Sequence, residues 1–100
     1  MNLSEILSKV REERLSRADL EMYEQKLSAL KSQYELRKAE LEKMEFRFKG
    51  AEHRKEQSGV KIEIEWKNTP EGQELIDIKG NIRAVSPMLS SIKSRIYQSY

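Results

Sequence analysis

The side chains best suited to chemistry in this chain are its cations and aromatics. Arg37, Lys38, Lys43, Arg47, Lys49, Arg54 and Lys55 crowd into one stretch, with Phe46 and Phe48 interleaved. Lys79, Arg83, Lys93 and Arg95 follow later with no acid nearby. Basic grooves that follow phosphates, joined to aromatic faces that stack on bases, are a common way of holding single-stranded nucleic acid. Phe48 falls on an apolar seam and is expected in the core. Phe46 falls off that seam, which makes it the stacking candidate.

Catalysis has little to work with. His53 is the one histidine, and among Glu52, Arg54 and Lys55 it reads as a solvated residue at a helix end. There is no Gly-rich phosphate loop, no Ser/His/Asp set and no His-x-x-x-His. Glu35, Glu40, Glu42 and Glu45 sit at helical-surface spacings from Lys38 and Lys43, which makes ion pairing their simplest role. The chain is therefore expected to be no enzyme and to hold no metal and no cofactor. With zero cysteines it has neither a disulfide framework nor a thiolate site, which suits a reducing compartment. No run approaches the roughly 18 apolar residues of a membrane span, and no signal-peptide pattern opens the sequence. The expected location is the cytoplasm, with no membrane partner.

Formal charge totals only +2 but is unevenly spread. Residues 1–36 carry −1, residues 37–55 carry +3, residues 56–78 carry −4 and residues 79–100 carry +4. Two basic stretches flank an acidic one, so a polyanion can be attracted at two places despite the modest total.

These side chains need elements to position them. Over 100 residues the hydrophobic share is 37% and the charged share 36%, against about 45–50% and about 25% in ordinary globular domains. Such a balance favours long helices with narrow apolar seams in one domain. Leu20, Leu27, Tyr34, Leu41 and Phe48 recur every seven residues, and Tyr23, Leu30, Arg37 and Met44 form a second row offset by three. The period predicts a helix from about Ser16 to Lys49, within a long heptad segment spanning 16–55. Arg37 interrupts the second row. Either its stem lies along the seam while its guanidinium reaches water, or it fixes register or touches a ligand. Leu3, Ile6, Leu7 and Val10 mark a short first helix within 1–15, with a break near Ser16 and Ser16 as N-cap.

At 60–66 the period changes. Val60, Ile62, Ile64 and Trp66 alternate with Lys61, Glu63 and Glu65, which predicts a strand or extended connection across 56–68. Thr69 as N-cap and Pro70 as first helical residue then open a C-terminal helix over 69–100, bent at Pro87. Its seam runs Leu75, Ile78, Ile82, Val85, Leu89, Ile92 and Ile96. The expected fold is mainly α: an antiparallel helical hairpin with a short extended or β segment, which oligomerises. Exposed seams and an unpaired strand place the oligomer interface at Val60, Ile62, Ile64, Ile78, Ile82, Val85, Leu89, Ile92 and Ile96.

The order of features resembles a known family. A short helix leads into a long Lys/Glu-rich helix that closes on Lys43-Met44-Glu45-Phe46-Arg47-Phe48-Lys49-Gly50. An extended segment follows, then a helix ending Leu89-Ser90-Ser91-Ile92-Lys93-Ser94-Arg95-Ile96-Tyr97. The whole resembles the UvsY-type recombination mediators of T-even and related phages. That resemblance implies an oligomeric helical protein that binds single-stranded DNA and contacts a recombinase and a single-strand-binding protein. A phage-encoded member would act in the host-cell cytoplasm. Residue by residue it supports Arg37 and Lys38 in the basic helix and Lys93 and Arg95 near the end. The first expectation is thus a homo-oligomeric mediator that helps load a recombinase onto single-stranded DNA. The alternative is a structural or chaperone-like coiled-coil subunit, similar to prefoldin, that needs no nucleic acid. A plain dimeric adaptor is a third reading.

Overall fold

The computed structural model describes residues 2–11, 15–51 and 56–98 and forms an elongated body of 60 × 20 × 18 Å. Its four described helices are α1 (Leu3–Val10), α2 (Arg17–Lys49), α3 (Gly59–Lys67) and α4 (Pro70–Gln98). The long helix packs on the C-terminal one, so the fold is the expected helical hairpin.

Local chemistry sets the boundaries. Asn2 caps α1, its side chain accepting from the Glu5 N–H at 2.9 Å. Ser16 caps α2 by accepting from Asp19 N at 3.1 Å, as its place before the heptad predicts. At the far end the Gly50 N–H returns to the Phe46 carbonyl at 2.9 Å. Thr69 closes one helix and opens the next. Its hydroxyl donates to the Trp66 carbonyl at 2.6 Å and accepts from Gly72 N at 3.0 Å. A Cβ on Gly72 would run into that same Trp66 carbonyl, so the tight α3–α4 corner requires glycine there.

The core has two ends. Leu20, Tyr23 and Leu27 of α2 meet Val85, Leu89 and Ile92 of α4, with Ile6 and Val10 of α1 closing that end. At the other end Leu41 of α2 meets Trp66 of α3 and Leu75 and Ile78 of α4. Tyr34 packs against both groups. Each fully buried aliphatic or aromatic side chain contributes about 1.5–3 kcal/mol. The heptad rows predicted on α2 and α4 are the rows that meet, except that Met44 stays 38% exposed.

The strand expected at 60–66 is corrected: it is helix α3. A lone strand leaves its backbone N–H and C=O groups without partners, whereas a helix pairs them within the segment. Alternation over seven residues also places Ile62 and Trp66 one turn apart. Trp66 is buried and Ile62 half-buried, while Val60 and Ile64 on the other diagonal stay exposed. Ser58 supplies the cap, accepting from Lys61 N at 3.2 Å.

The same packing changes the role of the α4 seam. Ile78, Val85, Leu89 and Ile92 are buried within a single chain, and Ile82 and Ile96 are half-buried. The row expected to meet a neighbouring subunit is filled from within by α2. Helix α4 also runs unbroken past Pro87. Proline withholds a donor from the Arg83 carbonyl, and the Ser86 hydroxyl donates to the Ile82 carbonyl at 2.9 Å one turn back.

Candidate nucleic-acid interface

On α2 most predicted cations already hold carboxylates. Arg37 stands at a seam position and reaches α4, where its Nε and Nη2 donate to the two oxygens of Glu74 at 2.7 and 2.8 Å. Nη1 donates to Glu40 at 2.9 Å. This forked geometry is the strongest form of Arg–carboxylate pairing. It fixes the register of α2 against α4, which is the sharper of the roles weighed for Arg37. Bonding to Glu74, and secondarily to Glu40, raises the Arg37 pKa, while the bond from Arg37 lowers that of Glu74.

Lys49 plays the same part toward α3. It donates to Glu63 and also pairs with Glu45 at 3.1 Å. The Glu63 bond raises its pKa and lowers that of Glu63, which Lys67 and Lys79 depress further through charge. Lys38 pairs with Glu42 at 3.7 Å along its own helix. Lys43 and Arg47 are exposed and make no ion pair with a described residue, but Glu42 and Glu45 flank Lys43 in sequence. Phe48 packs against Trp66 with ring centroids 5.4 Å apart, in the core as expected. Phe46 is 80% exposed on the outer face. Arg54 and Lys55 lie outside the described residues, as does His53.

The last helix is organised differently. Arg95 is held inward, its Nη1 donating to the Val10 carbonyl at 2.8 Å, so it caps the C-terminus of α1. Lys93 is exposed and forms no ion pair with a described residue. It belongs to a row that sequence reasoning did not assemble: Lys79, Arg83, Ser86, Ser90, Lys93 and Tyr97, spaced 4, 3, 4, 3 and 4. These spacings put the row on one side of α4 over about 27 Å. Lys79, Arg83, Ser90 and Lys93 are exposed, and Tyr97 is 81% exposed at the end. No acidic residue occurs from 79 to 100. The signal was present, because each member follows a seam residue by one position, so the seam's own register defines the row.

The predicted cations therefore do not form one surface. Arg37 and Lys49 tie helices together, Arg95 caps, and Lys43 and Arg47 share an outward face with Phe46. Lys93 joins Lys79 and Arg83 on a separate basic row. Among the described residues no group of three or more metal-binding side chains gathers, and no helix is long and apolar enough to cross a membrane. The chain matches no family model, and no curated protein or solved structure matches it either.

Proposed function

We propose that this chain is a single-stranded-DNA-binding protein that acts as an oligomeric recombination mediator, with the α4 row as its strand-binding element. The observation that carries this reading is the row itself: Lys79, Arg83 and Lys93 exposed on one side of a helix whose last turns contain no acid, ending at an exposed Tyr97. Lys and Arg take up phosphates, Ser90 offers a hydroxyl to the same oxygens, and Tyr97 offers a ring to a base. The rigid hairpin beneath holds the three charges in line. In an oligomer, rows from several copies act on one strand, so weak contacts combine. The recombinase and single-strand-binding partners come from the resemblance to UvsY-type mediators. The prefoldin-like alternative relies on a strand platform, and the segment that would build it is helix α3.

The test is fluorescence anisotropy of a labelled oligo-dT strand at low and moderate salt. Affinity is expected to fall steeply as salt rises, because phosphate contacts release counterions. Binding that does not change with salt contradicts the proposal, and so does an absence of binding at low salt.

A further inference from the structure

Closing the hairpin uses one face of α2 and leaves the opposite face open. Met22, Ala29, Leu36 and Lys43 stand seven apart on that open face. A second row, offset by three, runs from Ala18 through Ser32 to Phe46 at the same spacing. Every residue of both rows is exposed; Leu36 is 69% exposed and Phe46 80%. At 3.5 residues per turn this stripe lies about 150° from the inner seam. Met22, Leu36 and Phe46 are its large apolar members, and Gln25, Ser32 and Lys43 its polar ones. The small residues between the large ones let another helix come close.

We infer that this face is covered by the same face of a second copy of the chain, running antiparallel. Charge selects both the occupant and its direction. When the two rows alternate across an antiparallel seam, Met22 meets the second copy's Phe46 and Ala29 meets its Ala39. Leu36 then meets Ser32, and Lys43 meets Gln25. The same register sets Asp19 opposite Arg47 and Lys26 opposite Glu40, whose carboxylate also accepts from Arg37 of its own chain, along one flank, each pair occurring twice because the contact is two-fold. Both pairs are of opposite sign. On the other flank Glu35 meets its own copy beside the axis, and Lys31 offsets that contact by pairing with Glu35 at 3.9 Å on the same helix. A parallel arrangement instead sets Lys43 against Lys43 inside the seam. The α4 row lies on a different part of the hairpin, so the pairing leaves it open and the inference does not depend on nucleic-acid binding.

The native chain has no cysteine, so one introduced thiol reports geometry directly. Gln33→Cys sits beside the two-fold axis, and a short bis-maleimide is expected to join two copies there. Lys43→Cys lies about 27 Å from its own copy in this register and is expected not to cross-link. Sedimentation equilibrium of the full chain gives the mass. Leu36→Glu is expected to weaken association at least tenfold, and circular dichroism should show no loss of helix, since the side chain is exposed. Arg47→Glu is expected to weaken it similarly, and Asp19→Arg/Arg47→Glu together to restore it to within about threefold. The inference is overturned by a monomer at 100 µM, by a Leu36→Glu variant of unchanged mass, or by Lys43→Cys cross-linking in place of Gln33→Cys.

Discussion

The second half of α2 and the outer side of α4 are both rich in cations, yet they use them in opposite ways. From Arg37 to Lys49, α2 interleaves its cations with Glu40, Glu42 and Glu45 and faces Glu63 and Glu74 across the helix contacts. On α4, Lys79, Arg83 and Lys93 stand on an acid-free row. The first arrangement fixes how three helices sit together. The second leaves Arg83 and Lys93 to the surroundings, while Lys79 also acts through charge on Glu63 of α3. A count of basic residues weights the two regions alike, whereas the placement of the carboxylates separates a fastening from a binding surface.

Reversing the charge of the α4 row should have the largest effect. Lys79→Glu/Arg83→Glu/Lys93→Glu is expected to lower oligo-dT affinity at least about 100-fold at low salt, as phosphate contacts become repulsions. Its thermal midpoint should stay near the native value. Next comes Tyr97→Ala, expected to cost about 1–3 kcal/mol of binding if the ring stacks on a base. Phe46→Ala should lower DNA affinity less than Tyr97→Ala, because it acts on the strand only through self-association, and equal losses from the two would erase the distinction between the faces. Neighbours in sequence should also separate. Arg95→Ala removes a charged donor from the Val10 carbonyl and is expected to lower stability by about 1.5–3 kcal/mol, measured by urea unfolding. Lys93→Ala should change stability by less than about 0.5 kcal/mol.

The smallest effect is acid sensitivity. Glu63 and Glu74 have folded pKa values below the ordinary one, because Lys49 and Arg37 favour their charged forms. Their contribution to stability is complete above the unfolded glutamate value, about 4.3, and is lost as pH falls through it toward the folded values. The thermal midpoint should therefore fall between pH 6 and pH 3, and less in Glu74→Gln than in the native chain. Parallel curves for the two proteins would show that Glu74 contributes nothing to this loss.

Much of this architecture can be read from residue types and spacing. Ser16 before a heptad, Thr69-Pro70 before an Ile-rich seam and Gly50 after a basic turn set element ends by local hydrogen bonding, which needs no knowledge of the rest of the molecule. Residues 60–66 misled because seven residues of alternation fit a strand and also two i,i+4 pairs of a helix. Only Leu41, Leu75 and Ile78, distant in sequence, reveal that Trp66 turns inward. The α4 seam was legible, but its partner was not: its Ile-rich rows suggested a neighbouring subunit, and α2 of the same chain fills them. Cations were the hardest to assign. Nothing near Arg37 in sequence points to Glu74, and nothing near Arg95 points to Val10, because both contacts exist only once the hairpin has closed.

The proposal divides the cations: those of α4 bind the strand, while Arg37 and Lys49 of α2 hold the fold. It is tested most directly by comparing how affinity for an oligo-dT strand depends on salt in the native chain, in Lys79→Ala/Arg83→Ala/Lys93→Ala and in Lys38→Ala/Lys49→Ala, whose lysines already hold Glu42, Glu45 and Glu63. With three phosphate contacts removed from each copy on the strand, the slope of log affinity against log salt should shrink by about 2 per bound copy in the α4 variant and stay at the native value in the α2 variant. An unchanged slope in the α4 variant, or a smaller slope in the α2 variant alone, would contradict the account.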